Sequence, residues 1–520
     1  MRGSPESGVP VHRRDLILSG VSLPLLSLGV ALKAFPAPRD AVPAGNVAPF
    51  DNDTVPALAH ALAARAYRAP DDALPPALAK VGYDQYRDFR YRGARALWAG
   101  EGLPFQAQFF HRGFLFKDRV DVFTVEDGRA TPFAFSTDLF DYTPQPVPDV
   151  GDVGFAGFRL HAPINRDDHY DEVCSFLGAS YFRAVAKGLN YGLSARALAL
   201  GTGEPAMEEF PRFTRFWLER PARGALAIVV HALLDSPSAA AALRFAIDPG
   251  DETVFDVDLR LYPRVDLAHA GIAPLTSMFE FDASDRVGID DYRPAVHDSD
   301  GLAMLNGRGE QAWRQLQNPA MLQHSGFQDD NPRGFGLMQR KRRYEDFQDA
   351  EAHYEKRPSL WVEPLGDWGE GEVHLVEIPT ADEYHDNIVA FWRPNEVVAA
   401  GREHRWRYRL HWCREHAWKP ALATVAATRV GASHDGARLV VIDMAGGRLS
   451  RLAGDAEPRV DAAASRGELR NPVAYRNAGT GGWRMSFELH PGDARVSELR
   501  ARLVDGDGPL SETWLYRWMA

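Results

Sequence analysis

Cysteine is nearly absent. Cys174 and Cys413 are the only two in 520 residues. That excludes a disulfide-stapled scaffold and any zinc or iron–sulfur site built on thiolates. Positive charge is also in deficit, with 59 Lys+Arg against 71 Asp+Glu and a formal net charge of -12. No basic stripe offsets this, which argues against a nucleic-acid ligand. The phosphate-binding loop, the dinucleotide fingerprint, the HExxH metal motif and the GxSxG nucleophile elbow are all missing. No fixed-period repeat is present, which argues against propellers and solenoids. What is there is ordinary for a packed chain: 45% hydrophobic and 25% charged residues, enough to rule out bulk disorder. At roughly 150 residues per domain the length allows two to four domains.

The longest apolar run, Leu16–Leu32, is interrupted by Pro24, Gly20 and Gly29 and falls short of the ~20 residues a membrane span requires. It follows Arg13 and Arg14 and precedes a zone of small residues and prolines. That order is a secretory signal, and the paired arginines make it a twin-arginine signal. Residues 1–44 are therefore read as a signal peptide with cleavage between 34 and 47, and the mature protein as soluble and exported.

Val55, Leu58, Ala59, Leu62, Ala63 and Ala66 recur at helical spacing behind Asp53 and Thr54, predicting one helix at the start of the mature chain. Beyond it the period is two. Leu243, Phe245 and Ile247, then Phe255, Val257, Leu259 and Leu261, alternate with polar residues on either side of Pro249-Gly250-Asp251, which predicts an antiparallel hairpin. Residues 120–135 repeat the scheme about Glu126-Asp127-Gly128. Composition shifts near 393–403, after which Trp406, Tyr408, Leu410 and Trp412 alternate with polar residues. The fold expected is all-β: a large β-sandwich over 48–395 and a small immunoglobulin-like sandwich over 396–520.

Acids, aromatics and arginines concentrate in three loop-like stretches. DDYRPAVHDSDGL (290–302) holds Arg293, His297, Asp298 and Asp300. HYEKRPSLWVEP (353–364) holds Tyr354, Arg357, Trp361 and Glu363. EIPTADEYHDNIVAFW (377–392) holds Glu383 and Asp386. Carboxylates beside aromatic rings suit a carbohydrate cleft, because glycosidic cleavage needs two carboxyl groups and sugars stack on rings. Each has a plainer reading: Asp298 and Asp300 as turn caps before Gly301, Trp361 as core, and the run Arg340-Lys341-Arg342-Arg343 as a solvated face. No metal is expected at DDHYDE (167–172), which lacks the alternating ligand spacing of a calcium loop.

YDQYRDFRYR (83–92), LPFQAQFFHRG (103–113), FLGASYFRA (176–184), APLTSMF (273–279), DDYRPAVHDSDGL, NPRGFGLMQR (331–340), RPSLWVEP (357–364), LVEIPT (375–380), DNIVAFW (386–392) and SETWLYRW (511–518) strongly resemble the periplasmic glucan biosynthesis proteins, which comprise G and D types. The twin-arginine signal points to the D type. The resemblance spans nearly the whole mature chain. It implies a galactose-mutarotase-like large domain, a periplasmic location, and action on β-1,2-linked glucan with anomeric inversion. It implies Asp386 as general acid and Asp298 as base, with Asp300 the second choice, and carboxyl groups spaced ~6.5–9.5 Å or wider. Tyr354 and Glu383 are site residues by the same resemblance. Arg293, Arg357, Asp300 and Trp361 are taken as further substrate-binding candidates. The partners expected are glucan chains and the membrane glucan synthase, with a homodimer left open, and no cofactor. The competing expectation is a glucan-binding protein without catalysis.

Overall fold

The computed structural model describes residues 47–70, 73–415, 420–452 and 456–520. The signal segment lies outside the described residues. Two large sheets face each other across a core of aromatic and aliphatic side chains that includes Phe158, Phe176, Phe245, Phe255, Leu275 and Trp412. One sheet has sixteen strands and the other ten.

The hairpin forms in the register that its alternation dictates. Strands Ala239–Asp248 and Thr253–Pro263 pair with Leu243 opposite Leu259, Phe245 opposite Val257 and Ile247 opposite Phe255, and all six are buried. Shifting the pairing by one residue would turn every one of them to the opposite face. At the turn between Asp121–Glu126 and Arg129–Phe133, Asp127 and Gly128 have φ of 50° and 70°. Two positive φ values define the turn whose twist matches paired strands, and Asp-Gly meets them at low steric cost. The expected helix runs Thr54–Ala63 and lays Val55, Pro56 and Ala59 on the outer face of the large sheet.

Strand His404–Cys413 alternates as expected, but its place was not legible from the chain order. It lies between Thr253–Pro263 and Ser359–Leu365 in the sixteen-stranded sheet, so the chain returns to the large sandwich after the break near 395. Tyr408, Leu410 and Trp412 point into the core. Arg405 and Arg409 face outward onto Asp258 and Asp256 at 2.7 and 2.9 Å. The C-terminal sandwich then packs the four strands Thr424–Ala432, Arg438–Ala445, Gly482–His490 and Glu468–Asn477 over Val496–Asp505 and Thr513–Met519. Strand Thr513–Met519 pairs in parallel with Gln311–Gln315, so one sheet is continuous through both sandwiches.

The ten-stranded sheet positions the candidate site. Phe182 and Ala184 on strand Tyr181–Ala184 face the core, so Arg183 faces outward. On the same sheet, strand Ile388–Pro394 begins two residues after Asp386.

Candidate functional site

The chain bearing Asp298 and Asp300 is threaded between two walls. Short strand Val296–His297 pairs with Phe279–Phe281. Beyond it, the Asp298 amide donates to the Met278 carbonyl at 2.8 Å and the Asp300 amide to the Met338 carbonyl at 2.8 Å. The chain bends at Asp298 and again at Asp300, which directs the two carboxyls to different partners, Arg357 and Lys341. Ser299 Oγ meets Ser277 Oγ at 2.8 Å.

Asp386 is aimed by its neighbour. Asn387 donates through Nδ2 to the carbonyls of Phe279 (2.9 Å) and Ile378 (3.1 Å) and accepts from the Phe279 amide (2.8 Å). A buried amide with those partners fixes the backbone beside Asp386. Sequence reasoning missed Asn387; its position next to a candidate acid at a strand entrance was the only signal.

The three stretches converge. Arg293 donates to Glu383 at 2.6 Å and Asp349 at 2.8 Å, and pairs with Asp291 at 2.8 Å. The Tyr354 hydroxyl donates to Glu383 at 2.7 Å. Arg357 faces Asp298 at 3.5 Å and lies over the Tyr354 ring at 5.5 Å. Its Nη1 also donates to the Tyr191 carbonyl. Asp298 is 3% exposed, and its Oδ1 makes no hydrogen bond.

The carboxyl groups are in different electrostatic states. Burial pushes Asp386 up to about 6, opposed by Arg183 and Arg357 and reinforced by the charge of Asp298. Burial also raises Asp298, with Arg357 and Arg183 pulling it back. Asp300 goes the other way. Against its burial, Lys341 and His297 hold it well below the usual carboxylate range. The Lys341 ammonium lies 2.9 Å from Asp300 and 2.7 Å from Asp282, and the amides of Arg340 and Lys341 also donate to Asp300. Asp282, His297 and Asp300 could chelate a cation by spacing, but Lys341 already supplies the positive charge there. Asp300 is thus a structural anchor, not a sugar contact.

Two other expectations fall to packing. Trp361 is 3% exposed on strand Ser359–Leu365, in the core shared with the C-terminal sandwich beside Trp313 and Met338. A Cβ on Gly334 would stand 2.2 Å from the Trp361 ring. The indole is core, not a sugar platform. The run 340–343 is no solvated face either. Arg340 pairs with Glu512 at 2.6 Å and stacks over Trp313, Lys341 is bound as described, and Arg342 donates to the Arg357 carbonyl and to Ser359 Oγ. Only Arg343 is exposed. The basic run ties the site loops to the C-terminal sandwich, which alternation could not reveal because its partners lie far away in sequence.

Exposed rings near the site include Tyr292 (76%) and Tyr384 (41%), adjacent in sequence to Arg293 and Glu383. Half-buried Glu280, also missed, is pushed up to about 7 by desolvation and by Glu383. The arrangement offers a half-buried carboxyl and a buried one within each other's field, two arginines acting on them, and a rim of tyrosines and acids. That can bind hydroxyls and move a proton.

A profile described as periplasmic glucan biosynthesis protein, MdoG, matches residues 50–518. The chain belongs to the periplasmic glucan biosynthesis protein family. Among relatives, glucans biosynthesis protein G of Rhodopseudomonas palustris (strain BisA53) is 52% identical over 510 residues, covering 98% of this chain and all of that one. The protein of the same name from Bradyrhizobium diazoefficiens is 54% identical over 446 residues, 85% of this chain and 88% of its own. The one from Vibrio cholerae (strain ATCC 39315) is 48% identical over 489 residues, 92% and 89%. The D type was the expectation from the paired arginines; these relatives carry the G name.

Proposed function

We propose that the protein acts in the periplasm on the β-1,2-glucan backbone as an inverting enzyme, by hydrolysis or by transfer to a sugar hydroxyl. Family membership supports a role in periplasmic glucan biosynthesis. The observation that carries the catalytic reading is the pairing of a partly exposed Asp386, raised to about 6, with a buried Asp298 held against Arg357. Two carboxyls in unlike environments are what general acid and general base need.

In this reading Asp386 protonates the departing glycosidic oxygen. Asp298, raised by burial with Arg357 and Arg183 opposing that rise, takes the proton from the incoming water or sugar hydroxyl. Water yields a shorter chain, and a hydroxyl of the same chain yields a ring. Glu383, held by Tyr354 and Arg293, and the exposed Tyr292 and Tyr384 receive the flanking glucose units. The second reading is a glucan-binding protein that presents chains to the membrane synthase; it would use the tyrosine rim but not the unlike carboxyls.

Incubating the mature protein with linear β-1,2-glucan separates the two. Shorter chains, rings or new linkages, with inverted anomeric configuration by NMR, support the enzyme. An unchanged substrate under all conditions refutes it. The pH dependence follows from Asp386. An acid must be protonated, so kcat should be highest below about 6 and fall as pH rises through that value. A profile flat from pH 5 to 8 would remove Asp386 from the acid role.

The export route is proposed from Arg13 and Arg14. Replacing both with Lys should leave folded precursor in the cytoplasm. Normal periplasmic accumulation of that variant would refute twin-arginine export.

A further inference from the structure

We infer that Tyr191 is a positioning residue, whose ring seats Arg183 and whose carbonyl seats Arg357, so that both guanidiniums face the carboxyl pair. The inference rests on the acid and base reading of Asp386 and Asp298 given above.

The loop carrying Tyr191 is pinned by its backbone. The Val185 amide donates to Val173, Lys187 to Gly250 and Asn190 to Lys356, at 2.9, 2.9 and 3.0 Å. Gly192 lies so close to the next stretch that a Cβ there would meet Arg357 Cβ at 3.1 Å and Pro358 Cδ at 3.2 Å. This fixes the Tyr191 carbonyl that accepts from Arg357 Nη1. The ring is fixed separately. Its hydroxyl donates to Glu172 at 2.9 Å, Glu172 pairs with Arg159 at 2.8 Å, and Arg159 donates to Gln108 at 2.8 Å. These partners stand on three neighbouring strands of the ten-stranded sheet. The Arg183 guanidinium lies over that ring at 5.7 Å.

A guanidinium on a tyrosine face is held by the ring quadrupole. Without the ring, the guanidinium loses that contact and its position against the carboxyl pair is less closely held. The charged groups acting on Asp386 are Arg183, Asp298, Arg357 and His385. Of these, Arg183 is the one that Tyr191 holds by its ring. Losing the ring should therefore weaken the pull of Arg183 and leave Arg357 seated, because the backbone carbonyl stays.

The test reads the protonation of Asp386 without turnover. Proton uptake by difference potentiometric titration is compared between each protein and its own Asp386→Asn partner. Arg183→Met should raise the Asp386 midpoint by about one pH unit. Tyr191→Leu should give at least half that rise, and the alkaline limb of kcat on β-1,2-glucan should move up with it while KM changes little. Tyr191→Phe keeps the ring and should leave the midpoint in place. No rise or a fall in Tyr191→Leu, or an equal rise in Tyr191→Phe, overturns the inference. Failure of the wild-type protein to alter glucan would sink the catalytic reading alone, since the titration does not depend on turnover.

Discussion

Asp386→Asn should process β-1,2-glucan about 10²–10⁴-fold more slowly while binding it nearly as well as the parent. The amide keeps the shape of the carboxyl and its capacity to hydrogen-bond. It removes only the proton that Asp386, raised to about 6 by burial, carries at the working pH. Asp298→Asn should be comparably impaired, because it removes the acceptor for the nucleophile's proton. Rates come from chain-length chromatography and affinity from calorimetry on the inactive variants. Wild-type turnover in Asp386→Asn would end the acid assignment. If Asp298→Asn stayed active while a correctly folded Asp300→Asn were dead, the base would move to Asp300. The geometry argues against that, because Asp300 is already committed to Lys341 and two backbone amides.

Lys341→Met should lose about 3–5 kcal/mol of stability, the usual result of removing one partner from a buried ion pair. Lys341 lies between Asp282 and Asp300, both 2–3% exposed. Without the ammonium, two carboxylates are left in a low-dielectric site with only amides and His297 beside them. Denaturant unfolding of the parent and the variant measures the loss. Its pH dependence has a definite sign. Asp300 is held below the ordinary carboxylate range in the folded parent. The stability it contributes is therefore present at neutral pH and is withdrawn as pH falls below about 4 and the carboxyl protonates. The variant's deficit should be full from pH 7 down to about 4 and shrink as pH falls below that. A deficit below about 1 kcal/mol at pH 7 would mean that Lys341 is not the cation holding this cluster.

Much of the fold was legible in the sequence. The period-two alternation of residues 243–247 and 255–261 specified a hairpin and its register, because a half-buried strand admits one register only. The helix near residue 54 followed from its spacing. The cleft was legible only as composition, a concentration of acids, aromatics and arginines in three stretches. Trp361 shows the limit. A tryptophan in an alternating strand looks the same whether its outer side meets solvent or a second sandwich. Here a second sandwich covers it.

Local order along the chain by itself determined the β class, the turns, the helix and the three stretches that meet. Those properties depend on neighbours within a few residues, where backbone sterics and side-chain period act. Tertiary structure alone decided which aspartate is anchored and which is available. Asp298 and Asp300 are two residues apart in a chain that bends at each of them, and one faces Arg357 and the other Lys341. Tertiary structure also decided that the basic run 340–343 is mostly buried, that strand 404–413 returns to the large sheet, and that Tyr191 reaches Arg183 and Arg357. Each of these depends on groups brought together across long sequence separations. The charge state of a buried carboxyl is set by the groups within a few ångströms of it, and sequence position does not specify which groups those are.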